Sequence, residues 1–289
     1  DGYDNTVVGA ISMQNNTTGW RNTTLGFSTL QFNTTGTRNT ALGGRAINNN
    51  TTGFANVGVG FDVLNGNIVG DHNVGVGLDA LYWSDGTHNT AIGDSTLWGI
   101  YPSQKHMGYK NTAIGSRAGY HLGDTYPNFA SIFDTAVTFL GANASRDSSI
   151  PYSTSLQNMT VIGYDARGLA SNQVVLGNDN VTTTLLKGRV GIGTSLPGAS
   201  ALLEMKSSTR GLLIPRLTTT ERNAISSPAA GLMIYNTTDS AFNYYRISGW
   251  TAIGGSGSTP TWQQTLTAGS SLNTSNYIDI GGNEFRLYN

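Results

Sequence analysis

Two carboxylates, Asp62 and Asp79, occupy the same position in successive copies of a repeat, and their spacing suggests chemistry. Stacked neighbours in a parallel β-solenoid lie about 5 Å apart, which suits the carboxylate pair of a retaining glycosidase. Arg45 holds the same position one copy earlier. We expect a ladder of surface charge that keeps both acids ionised, without the desolvated cleft that a catalytic acid needs. We therefore predict no catalytic residue.

A second set of residues, most of them basic, lies immediately before the repeated Asn residues, where stacking would place a basic stripe along one edge. The set comprises Arg21, Arg38, Ala55, His72, His88 and Lys110. Such a stripe is either a contact line for acidic glycans or solvated charge that keeps strand edges from pairing, and the second interpretation is favoured. His72 and His88 stack without an evident third ligand, so we predict no metal site.

Aromatic residues gather around two breaks in the repeat. Trp98, Tyr101, Tyr120 and Tyr126 belong to these longer segments. Aromatics on projecting loops are frequent in recognition surfaces, although these loops could equally fold back and bury their rings. We name these four residues, together with Arg21, Arg38, His72, His88 and Lys110, as candidate receptor contacts.

The elements that must position these residues are copies of a motif written Asn39-Thr-Ala-Leu-Gly43 at its clearest. The copies begin at Asn5, Asn22, Asn39, Asn56, Asn73, Asn89 and Asn111. The first four intervals are 17 residues, the next is 16 and the last is 22. A fixed period of this size predicts a solenoid in which each copy is one coil stacked on the next.

Numbering seventeen columns from the Asn shows what each coil shares. Columns 4 and 9 are large and apolar, columns 5 and 15 are Gly, and column 3 is small. The pattern predicts two short strands and two turns per coil, with glycines at the turns. One large residue per strand gives a thin core, so we predict that the flat column 3 face packs against other chains in a homotrimer.

The repeated pentad resembles the left-handed parallel β-roll of trimeric autotransporter adhesin heads. The resemblance covers roughly residues 5–193, because shorter copies at 158–163, 172–177 and 189–193 close the series. It implies an all-β, homotrimeric, left-handed parallel β-roll solenoid over residues 1–193. An irregular insertion over residues 116–157 breaks the rhythm.

The C-terminal part carries Gly211-Leu-Leu-Ile-Pro-Arg-Leu-Thr218, then Glu221–Ile225, then Gly231-Leu-Met-Ile-Tyr-Asn236. This pattern resembles fibre proteins of phages that infect Bacteroidetes and of related phage-like injection machines. We expect a small β-rich module over 194–254 with one short helix, capped by Thr219 or Thr220. A Gly/Ser linker over 255–260 and a further β-rich segment over 261–289 complete the predicted order.

Composition excludes several function classes. Net charge is −1, charged residues are 11% of the 289 and there is no Cys, so nothing draws the chain to nucleic acid and no thiolate zinc site exists. No apolar stretch is long enough to cross a bilayer. We expect that the ends are either cuts from a longer polypeptide or the limits of ordered structure, because the chain starts without Met and stops within a pattern.

Together these features predict a non-enzymatic fibre protein of a phage virion or a phage-like injection apparatus, which presents a host-attachment surface. Its expected partners are its own copies, other virion proteins and a bacterial surface glycan or protein receptor, with no cofactor. The expected location is the virion tail or the extracellular space. The alternatives are a bacterial cell-surface trimeric adhesin and, from another class, a tailspike depolymerase that cleaves surface glycan.

Overall fold

The computed structural model describes residues 2–99, 108–120, 134–151 and 154–253, and the strand backbones of 277–280 and 283–286. Two compact units are present, Asp1–Thr184 and Leu185–Asn289. The predicted linker at 255–260 lies outside the described residues.

The first unit is built on one parallel sheet of ten strands whose order follows the chain. The strands are β1 (Thr6–Val8), β2 (Thr23–Leu25), β3 (Thr40–Leu42), β4 (Val57–Val59), β5 (Val74–Val76), β6 (Thr90–Ile92), β7 (Thr112–Ile114), β8 (Thr138–Leu140), β10 (Thr160–Ile162) and β12 (Val174–Leu176). Residues of like column pair, as Ala41 does with Gly58. The predicted parallel solenoid is confirmed, and β8 carries the sheet through the insertion. A smaller parallel pair joins β9 (Ser145–Arg146) to β11 (Arg167–Gly168).

Column 3 faces the interior of the coil, so the prediction that it contacts other chains is wrong. Ala41 and Ala91 are fully buried inside their own chain. The space opposite is filled by column 9 side chains such as Ile47, and a Cβ on Gly58 would lie 2.8 Å from Ile47 Cγ1. Small residues in column 3 therefore make room for the core of the same coil.

Column 4 points the other way and forms an apolar ladder on the outer face of the sheet, because side chains alternate along a strand. Its exposed members are Val8, Leu25, Ile92, Ile114, Leu140 and Leu176. Leu25 keeps 53% of its surface exposed. A single copy of the chain thus leaves a continuous aliphatic stripe open.

In the coils of β1 to β7 a row of turns replaces the predicted second strand, whereas in the coils of β8 and β10 that strand forms as β9 and β11. Residues in columns 7 and 9 adopt left-handed backbone conformations, as at Arg45 (φ 54°) and Ile47 (φ 51°). The coils still bond to one another here: Ile47 N–H donates to the Val63 carbonyl at 2.9 Å, and Arg45 N–H donates to Phe27 at 2.8 Å. The left-handed residues turn the chain so that no extended strand forms.

The repeated Asn of column 1 holds neighbouring coils together from the inside. Asn56 is fully buried, its Oδ1 accepts the Asn73 backbone N–H at 3.0 Å, and its Nδ2 donates to the Gly70 carbonyl at 2.8 Å. The same pattern recurs from Asn22 through Asn89. Each amide thus satisfies backbone groups that would otherwise be buried without partners.

The second unit contains short sheets and one helix. Its elements are β13 (Val190–Ile192), β14 (Leu203–Met205), β15 (Arg216–Leu217), α1 (Thr219–Asn223), β16 (Met233–Asn236), β17 (Ala241–Arg246), β18 (Gly249–Ala252), β19 (Tyr277–Ile280) and β20 (Asn283–Arg286). Strand β13, which the sequence places at the end of the roll, pairs with β14 inside this unit. Strands β15 to β18 form one sheet, and β19 pairs with β20.

The N-cap of helix α1 is Thr218, which lies one residue before Thr219 and two before Thr220, the two caps predicted from the sequence. The Thr218 side chain accepts the Glu221 N–H, and the Glu221 carboxylate accepts the Thr218 N–H at 2.7 Å, which completes a capping box. Of the side chains described in this unit, Ile234 is the single buried aliphatic one, while Leu185 and Ile247 are 78% and 95% exposed. One copy therefore buries little apolar surface here.

Candidate receptor-contact surface

Three aromatic rings stack on the first unit at column 10 of successive coils, and we call them the aromatic ladder: Tyr82, Trp98 and Tyr120. The Tyr82 and Trp98 ring centroids are 6.5 Å apart with planes 18° apart, and Trp98 and Tyr120 are 5.3 Å apart at 23°. All three rings are half-exposed. The parallel register of the coils brings them together, and the ladder leaves ring surface open to solvent.

Polar groups border the aromatic ladder at both ends. The Arg117 guanidinium lies 5.6 Å from the Tyr120 ring centroid. At the other end, burial raises the pKa of Asp79 and of Tyr82, and the negative charge of Asp62 raises both further. The ladder thus combines apolar ring faces with a cation at one end and a partly desolvated acid at the other.

The two carboxylates of the predicted charge ladder have different environments. Asp62 is buried, pairs with the Arg45 guanidinium and accepts the Asn65 amide N–H at 2.7 Å. The expectation of an open surface pair is therefore wrong for Asp62. The expectation that Arg45 keeps Asp79 ionised stays a prediction: desolvation raises the pKa of Asp79, and the opposing effect of Arg45 is smaller.

Two predicted contacts of column 17, Arg21 and Arg38, converge on one ring. Their guanidinium carbons lie 4.7 and 4.9 Å from the Trp20 ring centroid. Arg21 also lies 3.5 Å from the Asp4 carboxylate, and Tyr3 stacks on Trp20 at 5.5 Å. Both guanidinium groups therefore contact an aromatic ring in column 16, the column next to their own.

The remaining members of column 17 also contact column 16. The rings of His72 and His88 stack with centroids 4.6 Å apart, and Phe54 packs edge-on against His72 at 4.9 Å. The Lys110 ammonium lies 5.9 Å from the Tyr109 ring centroid. Column 17 is thus a series of local cation–aromatic and His–His contacts along the edge.

The structure brings together some of the residues named from the sequence. Trp98 and Tyr120 are neighbours, whereas Tyr101 and Tyr126 lie outside the described residues. Sequence reasoning missed Tyr82, although its place ten positions into its coil, like that of Trp98 and Tyr120, could have identified it.

Comparison with known proteins gives one family match. Residues 191–270 match the family described as "Phage tail like trimerisation region". Neither curated proteins nor solved structures yield a match to the chain. Among the helices in the described part of the chain, none has the length and apolar character needed to span a membrane. The family match supports a structural, phage tail-fibre-like protein that forms a homotrimer.

Proposed function

We propose that this chain is part of a trimeric fibre on a phage tail or a phage-like injection apparatus, and that it presents an attachment surface to a bacterial host. The observation that carries this proposal is the match of residues 191–270 to a phage tail trimerisation region, directly after a ten-stranded parallel solenoid. A repeat solenoid that is followed along the chain by a trimerising module suits a part that holds a surface away from a particle.

The outer apolar stripe of column 4 is the face that we assign to contact between copies. Ile92 and Leu25 remain exposed within one chain, and the in-register strands continue the stripe along the sheet. Burial of aliphatic surface contributes about 25 cal/mol per Å², so covering the stripe would stabilise a trimer. The exposed leucines of the second unit offer further apolar surface that contact between copies could bury, which would also stabilise a trimer.

The aromatic ladder is the surface that we assign to the host. Sugar rings carry apolar C–H faces and polar hydroxyl groups, and a stack of half-exposed rings flanked by Arg117 and Asp79 offers a partner for each. The preferred ligand is therefore a bacterial surface glycan. The sequence pattern at Gly211–Thr218 further suggests that the host belongs to the Bacteroidetes.

We propose binding without cleavage. A glycosidase needs two carboxylates that are free to reach one bond, one acting as acid and the other as base or nucleophile. Asp62 is occupied by Arg45 and Asn65, whereas Asp79 is partly desolvated, and the negative charges of Asp62 and Asp94 raise its pKa further. A depolymerase would require Asp79 to act with another group.

A binding assay on bacterial cells, with a panel that includes Bacteroidetes, tests the proposal. Trp98→Ala should lower binding of the trimer by about tenfold or more, because truncation of a central aromatic anchor that acts as a hot spot costs about 2 kcal/mol or more. Tyr164→Ala, which removes an exposed ring outside the aromatic ladder, is the matched control. Unchanged binding by Trp98→Ala would move the attachment surface elsewhere.

The same preparations decide between the alternatives. Incubation with host polysaccharide should release no reducing ends, whereas release that disappears in Asp79→Asn would establish the depolymerase. Attachment of the purified chain to animal cells or matrix, with no binding to bacteria, would favour the cell-surface adhesin.

A further inference from the structure

The edge of the first unit brings together three side chains of the types that bind transition metals: Asp71, His72 and His88. One ligand atom from each lies within 4.8 Å of the other two. His72 Nδ1 and Asp71 Oδ1 are 3.3 Å apart, and the two imidazole rings stack with a 15° angle between their planes. Each of the three side chains is at least partly exposed, so an ion could enter from solvent.

The fold fixes this cluster through the backbone. His72 and His88 occupy column 17 of adjacent coils, both with left-handed backbone angles (φ 53° and 58°). His88 N–H donates to the Asp71 carbonyl at 3.0 Å, and His72 N–H donates to the Phe54 carbonyl at 3.0 Å. The three Cα positions are therefore held by bonds between coils, and only side-chain torsions need to adjust.

The neighbouring cations leave the cluster open. Arg38 is directed onto Trp20, Lys110 lies over Tyr109, and the column 17 position between Arg38 and His72 is Ala55. The Phe54 ring covers one side of His72 and limits its rotation. No positive side chain among these residues competes with an ion.

We propose that Asp71, His72 and His88 form a site for a divalent transition-metal ion, with Zn²⁺ as the best-suited occupant. Two imidazole nitrogens and one carboxylate oxygen are a ligand set that such ions prefer over Mg²⁺ or Ca²⁺. Ligand atoms about 2.0–2.2 Å from a tetrahedral Zn²⁺ lie roughly 3.3–3.6 Å from each other, so the two imidazole rings must turn out of their stack to bring their nitrogens onto one ion, and water completes the coordination. The ion would cross-link two adjacent coils at the edge of the first unit.

Titration of the full chain with Zn²⁺ in a calorimeter, and with Co²⁺ by visible absorption, tests the proposal. We expect one ion per chain and a Co²⁺ spectrum of four- or five-fold coordination. His88→Ala and Asp71→Asn should each weaken binding by about tenfold or more. Lys110→Ala, which changes the same column and leaves the three ligands in place, should bind as the unmodified chain does.

Thermal melting gives an independent readout. Zn²⁺ in excess should raise the melting temperature of the unmodified chain and of Lys110→Ala, and it should leave that of His88→Ala unchanged, because a ligand stabilises only the state that binds it. Circular dichroism without metal should show the same fold in all variants. Failure to bind one ion per chain, or binding that survives in His72→Ala and His88→Ala, would overturn the proposal.

Discussion

Val63 and Gly75 fit together across neighbouring coils: a Cβ on Gly75 would lie 2.6 Å from Cγ2 of Val63. Val63 also limits the space at Gly58, which belongs to the same coil as Val63. A Cβ added to Gly58 would lie 3.1 Å from Val63 Cγ1. Where column 8 holds Ala46 instead, column 3 holds Ala41, and both are fully buried. The Val63 methyl groups thus occupy the space that a Cβ at Gly58 or Gly75 would need.

This fit predicts a coupled pair of substitutions. Gly75→Ala should destabilise the protein by about 1–3 kcal/mol per chain through overpacking. Val63→Ala in the same chain should recover part of that loss, because it removes the Cγ2 methyl that the new Cβ would meet. Denaturant unfolding of the single and double variants measures the coupling. Strictly additive effects would contradict the fit, and Gly211→Ala, whose Cβ would meet no atom within 4 Å, is the control.

Glycines of column 5 should tolerate no side chain. Gly43 has φ 118°, and a Cβ there would lie 2.8 Å from the Gly60 carbonyl carbon and closer still to its oxygen. Gly43→Val should therefore cost at least about 1–3 kcal/mol per chain from backbone strain, with the clash in addition. The thermal melting temperature measures the loss. Melting of Gly43→Val at the temperature of the unmodified chain would show that this turn is not constrained.

The stacked coils and the parallel sheet of the solenoid could be predicted from the sequence. Which face of each strand points into the core could not. Alternation in Thr40-Ala41-Leu42 defines two faces, and the larger residue suggested that column 4 was core. The deciding information lies in another column: Ile47 already fills the coil, so only a small residue fits opposite it.

One later coil makes this dependence clear. There column 3 is the large Phe139, and the column 9 residue of the coil before it is Gly119, whose added Cβ would lie 3.1 Å from the Phe139 ring. The large and the small residue have exchanged columns. A sequence pattern read column by column does not contain this relationship, which depends on the three-dimensional packing of the two rows.

The candidate site was predictable only in part, for a similar reason. Trp98 and Tyr120 could be named because aromatics cluster near breaks in the repeat. Asp71 was missed as a neighbour of the two histidines because column 16 holds Tyr3, Trp20 and Phe54 in other coils and showed no ligand pattern. Left-handed backbone at Arg45 and Ile47 was equally hidden, since residues other than Gly seldom adopt it and β-branched residues such as Ile adopt it least.

The buried Asn of column 1 should be essential to stacking. Asn56→Ala removes an acceptor for Asn73 N–H and a donor to Gly70, so it should cost about 1–3 kcal/mol per chain or more. Denaturant unfolding measures this loss. Asn15→Ala, at an exposed position in the same unit, is the matched control and should change stability by less than about 0.5 kcal/mol. Equal effects of the two substitutions would contradict a special role for column 1.

The apolar stripe of column 4 should control assembly. Leu25→Lys places a charge on the outer face, and it should convert the trimer to smaller species or aggregate without unfolding one chain, because Leu25 is exposed there. Analytical ultracentrifugation measures the species. Gln14→Lys adds the same charge at an exposed position outside the stripe and should remain trimeric. A Leu25→Lys trimer as stable as the unmodified one would place the contact between copies on another surface.

The capping box of helix α1 should make the second unit sensitive to acid in a defined direction. Hydrogen bonds from the Thr218 backbone N–H, and then from its hydroxyl, lower the pKa of Glu221 below its ordinary value of 4.5. An acid whose pKa is lowered in the folded state contributes stability above its unfolded pKa, and the contribution is lost as the pH falls through the folded pKa.

We therefore expect Glu221 to titrate below pH 4.5 when its side chain is followed by NMR, and the Thr218 amide resonance to shift with the same midpoint. Glu221→Gln keeps an oxygen that can accept the Thr218 N–H but has no proton to lose, so the shift at Thr218 should disappear in this variant. Because the carboxylate is on the surface, the effect on global unfolding should be small, and the local amide is the sensitive reporter. A Glu221 midpoint at or above 4.5, or a Thr218 shift that persists in Glu221→Gln, would show that the capping box is not formed in solution.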